Sequence, residues 1–236
     1  MRHLLENRFA PVTFTIGFLE ADITRVSAFL ESWRDSINRR QRVKCVSASL
    51  ADMLKALAPV TYPETKELLV VTDSTWTAYF VNSSRVPNIA GVMSHVSSNL
   101  HVRGVLVSYV PGTVDATGVT RLHASVHMEL FSPTNTDFLN YERSIGVFSE
   151  DGRWQFIASG RTQAFERPDE YTKRLVKDRF TPALLAEYSK SLGIEGFSSD
   201  FYGREGILIE EEQPFATEAL SYAEAQRALG LTEQLS

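Results

Sequence analysis

Cysteine and long apolar runs are the features that this chain of 236 residues most clearly lacks. Its one cysteine, Cys45, cannot close an internal disulfide, form a Cys-x-x-Cys redox pair or supply a four-cysteine zinc site. No stretch approaches the roughly 18 apolar residues of a membrane-spanning helix, and charges interrupt the N-terminal residues before a signal peptide could form. The sequence therefore predicts a soluble cytoplasmic protein with no membrane partner.

Positive charge is also scarce. Lys+Arg 24 against Asp+Glu 29 gives a formal net charge of -5, which is unfavourable for general binding to nucleic acid or to anionic lipid. The one basic cluster, between Arg34 and Lys44, follows a predicted helix and has only Trp33 as an aromatic neighbour. Because single-stranded nucleic acid is bound by basic grooves with several aromatic platforms, we expect no nucleic-acid partner.

The common short motifs of catalysis and cofactor binding are missing as well. There is no G-x-S-x-G nucleophile turn, no H-E-x-x-H zinc pair, no phosphate-binding loop and no G-x-G-x-x-G after a strand. The sequence thus predicts no cofactor and no metal, and it assigns no catalytic residue. Cys45 lies between Val43 and Val46 in a short predicted strand, where we expect a small buried hydrophobic side chain.

Alternating and helical periodicities predict an α+β fold, with a mostly antiparallel central sheet and helices packed from the N- and C-terminal parts. Asp151-Gly152 between two apolar runs predicts a tight hairpin. We expect one domain over 1–236, whose C-terminal helical layer covers about 168–236 and includes an edge strand at 207–209. The strongest helix starts are predicted at Asp22, Ser49, Asn88, Thr181 and Thr217.

The clearest strand pattern lies between Arg121 and Leu130, where apolar and polar residues alternate. His123, His127 and Glu129 share its polar face. Histidines four positions apart along a strand are about 13 Å apart, too far for one metal ion; His127 and Glu129 would need a third ligand from a neighbouring strand. We expect this face to be solvated with its ionisable groups unassembled, and a surface for a polar ligand or a partner is the alternative.

Two further groups of residues are candidates for binding. Asp73 follows a buried strand candidate, and Tyr79 shares a strand face with Thr77 that forms either the wall of a ligand site or the seat of a helix. The acidic run Glu210, Glu211 and Glu212 predicts either a solvated sheet edge or an acidic patch that receives a basic partner.

Several stretches resemble a group of uncharacterised bacterial proteins. They are WTAYF.N at 76–82 and DRFTP.LL..Y...LGI......FY over 178–202, with FLNY at 138–141 and GRW at 152–154. The similarity covers most of residues 60–203. It implies a bacterial protein, but no activity and no functional residue can be carried over from that group. The chain's size and acidity are also similar in style to antitoxin-type immunity proteins.

These observations lead to three functional hypotheses. The first is a non-enzymatic binding protein, such as an immunity protein that blocks a basic toxin-like partner through an acidic or aromatic surface. The alternative is an enzyme or small-molecule-binding protein whose site is built on the polar face of the central sheet from His123, His127, Glu129 and Asp73. The third is a subunit of a homo-oligomer.

Overall fold

The computed structural model describes residues 3–134, 136 and 139–231, so Phe138 of the bacterial resemblance and residues 232–236 of the C-terminal layer lie outside it. Within these residues the helices are α1 (Ile23–Ser36), α2 (Leu50–Ala56), α3 (Ala90–Leu100), α4 (Pro182–Ser191) and α5 (Tyr222–Ala228). The strands are β1 (Thr15–Leu19), β2 (Gln41–Ser47), β3 (Val60–Tyr62), β4 (Lys66–Thr72), β5 (Thr77–Val81), β6 (Gly104–Val110), β7 (Thr113–Val114), β8 (Thr120–Leu122), β9 (Ser125–Phe131), β10 (Tyr141–Glu150), β11 (Arg153–Gly160), β12 (Tyr202–Glu211) and β13 (Glu218–Leu220).

A nine-stranded sheet forms the centre of the molecule, in the order β11-β10-β9-β6-β1-β5-β4-β12-β2. Each neighbouring pair is antiparallel. Two small two-stranded sheets, β13-β3 and β7-β8, lie beside it. The predicted α+β fold with an antiparallel central sheet is confirmed, and so is the hairpin at Asp151-Gly152, which joins β10 to β11.

Helices cover both faces of this sheet. On the first face, apolar side chains such as Phe18, Phe80 and Val107 pack against α2, α4 and α5 in one large core. On the second face, Leu19 and Tyr79 are among the side chains that pack under α1 and α3. The sheet is therefore the middle of three layers, and the polar side chains of the second face lie beside a helical layer.

The helix starts follow local capping chemistry where a side chain is available. The side chains of Asp22, Ser49 and Thr181 accept backbone hydrogen bonds at the starts of α1, α2 and α4, as predicted. The third helix begins at Ala90 rather than directly after Asn88, and its N-cap residue Ile89 makes no side-chain hydrogen bond. This uncapped start becomes one wall of the site described below.

The position of β12 corrects the expected edge strand at 207–209. β12 lies between β4 and β2, so the strand from the C-terminal part of the chain is interior, and β2 and β11 form the two edges. Residues 168–231 thus supply a central strand as well as helices. Since β2 is an edge strand, Cys45 is exposed, and the prediction that it is buried is wrong.

Candidate functional site

Two rows of side chains cross four neighbouring strands on the second face of the sheet. The strand register places Thr15, Ser108, His127 and Gly146 side by side on β1, β6, β9 and β10. The next row contains Gly17, Leu106, Glu129 and Ser144. Because residues two apart on a strand point to the same face, polar groups from all four strands meet in one small area.

A cavity of about 300 Å³ lies over these rows. Its polar wall is formed by Thr15, Ser108, His127, Glu129 and Tyr141, and its opposite wall by the segment 86–90 that leads into α3. Gly17 allows α3 to approach the sheet, because a Cβ atom at this position would lie 2.4 Å from the sulfur of Met93. The small residue on β1 and the helix above it together shape the pocket.

Glu129 is the acidic group of this pocket, and its side chain is almost completely buried. The whole residue is 7% exposed, and the Tyr141 hydroxyl donates a hydrogen bond to its carboxylate. Burial raises the pKa of the Glu129 carboxyl to about 7, and the hydrogen bond from Tyr141 opposes this rise. At neutral pH the group is therefore divided between its protonated and ionised forms, so it can donate or accept a proton.

His127 lies beside Glu129 on the same strand. Its Nε2 atom is 3.1 Å from Ser144 Oγ and 3.5 Å from Glu129 Oε1. Burial lowers the pKa of the His127 imidazole to about 4, so the ring is neutral at pH 7. Gly146 makes room for this ring, because a Cβ atom at position 146 would lie 2.8 Å from His127 Cδ2.

Hydroxyl groups and backbone amides complete the pocket. The hydroxyls of Thr15 and Ser108 are 2.9 Å apart and form a buried hydrogen bond. Each hydroxyl can accept a further hydrogen bond through its remaining lone pairs. The first turn of α3 at the opposite wall has N–H groups without a side-chain cap, and the N-terminal end of a helix carries a partial positive charge. The site thus combines donors, acceptors and one ionisable carboxyl group.

The chain matches no family model, no curated protein and no solved structure. The resemblance to uncharacterised bacterial proteins stays a prediction, and the site has to be interpreted from its own geometry. Among the described residues, no group of three or more His, Cys, Asp and Glu side chains could hold a metal ion, and no helix has the length and apolar character needed to cross a bilayer.

The expectation that the polar strand face is solvated and unassembled is wrong for His127 and Glu129, which converge in the pocket. It holds for His123, which is exposed at a break between β8 and β9. The predicted strand is interrupted there because β8 leaves the central sheet to pair with β7. Asp73 is exposed in the turn between β4 and β5, beyond the Leu19 end of β1, whereas the pocket lies at the Thr15 end.

Tyr79 lies on the same face of the sheet as the pocket but belongs to the core under the helices. It is 1% exposed, and it pairs with Gly17 on β1. Burial raises the pKa of its hydroxyl well above the ordinary value, and the nearby Glu67 carboxylate adds to this rise. At Tyr79 this strand face therefore packs against the helical layer and does not form the wall of a ligand site.

The acidic run lies at the end of β12, next to the β2 edge of the sheet, and the pocket lies over β1, β6, β9 and β10. Glu210 is 3.3 Å from Lys66 Nζ, and Glu211 forms an ion pair of 2.8 Å with Arg39. Glu212 is exposed. Two of the three carboxylates therefore already have partners within the chain, which leaves Glu212 as the most accessible charge of the run.

The site also contains four residues that were not predicted from the sequence: Thr15, Ser108, Tyr141 and Ser144. Ser108 carried a usable signal, because it is a small polar residue inside the apolar strand GVLVSYV. Buried polar residues of this kind need a hydrogen-bond partner, and Ser108 has one in Thr15. Tyr141 and Ser144 carried no such signal, since their position depends on the β9–β10 register and on an irregularity between Tyr141 and Arg143.

Proposed function

We propose that the protein binds a small polar molecule in the pocket over β1, β6, β9 and β10. The observation that carries this proposal is the Glu129 carboxyl group, which is buried at the wall of a cavity with a neutral imidazole and a phenol as its neighbours. Burial of an ionisable group without an opposite charge costs folding free energy. Groups with such shifted pKa values cluster at functional sites, where ligand binding or proton transfer uses them.

The size and lining of the cavity agree with this function. A volume of about 300 Å³ is at the lower end of the range for small-molecule sites, which usually combine apolar walls with a few polar groups. Leu106 and Ile89 provide apolar surface, and the hydroxyls of Thr15 and Ser108 provide hydrogen bonds. We therefore place the function on the polar face of the central sheet.

A thermal-shift screen of small polar metabolites, repeated with two tryptophan variants of α3, tests this proposal. Ala90 lines the pocket, so Ala90→Trp should fill the cavity and abolish every shift given by a specific ligand. The adjacent Gly91 has no atom within 4 Å of a Cβ built on it, so Gly91→Trp is a matched control that should keep the shifts. Ligands whose shifts survive Ala90→Trp, or a screen without any hit, would contradict the proposal.

We propose protein binding of the immunity type as a second candidate function. It is supported by a different surface, a groove of about 780 Å³ lined by charged residues that include Arg39, Arg40 and Glu212. Phe215, three residues further along the chain, is 77% exposed, and an exposed aromatic side chain beside charges is typical of binding surfaces. The partner expected from the acidic run is a basic, toxin-like protein.

This second function is tested by reversing the accessible charge. Glu212→Lys combined with Phe215→Ala should weaken binding of a purified basic partner at least tenfold, measured by calorimetry. Ala90→Trp serves as the control, because the pocket is remote from the groove and binding should be unchanged. Equal loss with both variants, or no loss with the double variant, would exclude the groove as the binding surface.

A further inference from the structure

The described residues that line the pocket provide an ionisable carboxyl group but no side-chain cation. Among the described residues that line it, Glu129 is the only acidic one and none is a lysine or an arginine. The other polar side chains are the hydroxyls of Thr15, Ser108 and Tyr141, the amide of Asn88 and the imidazole of His127. A ligand that fills the cavity therefore meets one ionisable carboxyl group and several neutral hydrogen-bonding groups.

The nearest arginines along the chain are occupied elsewhere. Arg143 on β10 donates hydrogen bonds of 2.9 and 2.6 Å to the carboxylate of Glu166. Arg85, which precedes the wall segment 86–90, lies 3.9 Å from the centre of the Tyr62 ring. The charge of Glu129 is thus not balanced by either of these side chains.

This arrangement disfavours the ionised form of Glu129 unless a ligand brings an opposite charge next to it. A carboxylate in a buried environment is stabilised strongly by a cation within about 4 Å, because the local dielectric constant is low. An anionic ligand would be repelled by the same group. Hydroxyl oxygens and an imidazole nitrogen can accept hydrogen bonds from an ammonium group, which has only donors.

We infer that the ligand of this pocket is a small organic cation, a protonated amine, and that Glu129 is its counter-ion. The inference rests on the proposed function and specifies the chemical class of the ligand. The ammonium group binds next to the Glu129 carboxylate, and the hydroxyls of Thr15 and Ser108 lie on the same wall as further acceptors. The first turn of α3 forms the opposite wall, where the partial positive charge of the helix favours a neutral or electron-rich part of the ligand.

Binding of such a cation is coupled to the loss of a proton from Glu129. Below pH 7 the cation competes with this proton for the carboxylate. The affinity for the cation should therefore increase up to tenfold for each unit by which the pH rises, and it should level off above pH 7. In the part of the chain that the structure describes, the titratable groups that face Glu129 are His127 on β9 and Tyr141 on β10. Among the described lining residues, β1, β6 and the segment 86–90 contribute no ionisable side chain. His127 is already neutral in this pH window, so the single proton belongs to Glu129.

Three probes with one carbon skeleton and different charges test the inference. Cyclohexylamine, cyclohexanol and cyclohexanecarboxylate are titrated by calorimetry and by NMR at pH 5.5, 6.5 and 8. We expect the amine to bind at least tenfold more tightly than the alcohol at pH 8, and this preference to shrink as the pH falls. Glu129→Gln should remove the preference, whereas Glu142→Gln, which makes the same change of net charge on β10, should keep it.

The outcomes separate this inference from the proposed function. If the alcohol or the carboxylate binds more tightly than the amine, or if none of the three binds, the inference is wrong. The proposed function is judged separately by the metabolite screen with Ala90→Trp and Gly91→Trp, and it stands if that screen finds neutral or anionic ligands. If Glu129→Gln does not fold, the order of the three probes and the pH dependence in the unaltered protein still decide.

Discussion

Burial shifts the pKa values of two neighbouring side chains, His127 and Glu129, in opposite directions. The Glu129 value rises from 4.5 to about 7, so its contribution to stability is complete below pH 4.5 and is lost as the pH rises through 7. The His127 value falls from 6.5 to about 4, so its contribution is complete above pH 6.5 and is lost as the pH falls through 4. Each pKa shift corresponds to a change of about 3 kcal/mol in the free energy of unfolding across its pH window. Between pH 4.5 and 6.5 the two slopes oppose each other.

Removing one member of the pair should therefore reveal the slope of the other. In Glu129→Gln the remaining shift of His127 should lower stability as the pH falls from 6.5 to 4, and in His127→Gln the remaining shift of Glu129 should lower stability as the pH rises from 4.5 to 7. The free energy of unfolding from urea titrations across this pH range measures both effects. His123→Gln is the control, because it replaces a histidine that is exposed and lies outside the pocket. Parallel pH profiles for the two pocket variants would contradict the assignment.

A second prediction at the residue scale concerns Gly146. In Gly146→Ala, the added Cβ atom would lie 2.7 Å from the carbonyl oxygen of Val126 as well as close to His127. Because the backbone cannot yield easily, we expect a loss of about 1–3 kcal/mol and a displaced imidazole ring. Urea denaturation measures the loss, and the NMR signals of His127 report the displacement. Gly91→Ala, which meets open space on α3, should not destabilise the protein.

At the scale of elements, a buried ion pair joins β10 to the segment that follows β11. Glu166 accepts two hydrogen bonds from Arg143, one from the Tyr171 hydroxyl and one from the backbone N–H of Gln163. The side chains of the pair are 5% and 1% exposed. Since β10 also carries Tyr141 and Ser144, this anchor holds one wall of the pocket in place.

Breaking the pair from one side should destabilise the protein strongly. Arg143→Leu leaves the Glu166 carboxylate buried without a cation, which costs about 3–5 kcal/mol in comparable cases. Arg167→Leu removes an arginine from an ion pair in the same segment whose members are about half exposed, and it should cost less than about 1 kcal/mol. Urea denaturation compares the two variants, and similar losses would show that burial does not set the strength of this anchor.

At the scale of the whole molecule, the C-terminal part of the chain completes the sheet. β12 is hydrogen-bonded to β4 on one side and to β2 on the other, and within the described residues it is the one strand that pairs with β2. A chain that ends at residue 167 lacks β12, α4 and α5 and leaves a large part of the first-face core uncovered. We therefore expect that the polypeptide cannot be divided at the change from strands to helices near residue 168.

We expect the chain of residues 1–167 to show no cooperative unfolding transition, as measured by circular dichroism against temperature and urea. A chain of residues 1–212 keeps β12 and α4, and it should unfold cooperatively at a lower temperature than the full chain. A sigmoidal transition for residues 1–167 with most of the strand signal retained would show that the sheet folds without its C-terminal strand.

Local chemistry made part of this fold predictable. Asp151 and Gly152 both have positive φ angles, which a tight antiparallel hairpin requires, and the Asp22 and Thr181 side chains cap their own helices. The alternation over 125–130 correctly separated core from polar side chains, because neighbouring residues of a strand point to opposite faces. The start of the final helix was predicted wrongly from local chemistry. Thr217, the predicted cap, donates a hydrogen bond to the Tyr62 carbonyl, and Ser221 caps α5.

The sequence by itself thus determined the type of fold, most strands and which side chains share a strand face. It did not determine which strands become neighbours or what covers each face, because both depend on contacts between residues far apart in the chain. Three such positions follow only from the tertiary structure: β12 lies between β4 and β2, α3 packs against Gly17, and Ser108 is paired with His127. Burial beneath that helical layer, rather than the pattern of residues on β9, turned a polar strand face into a pocket.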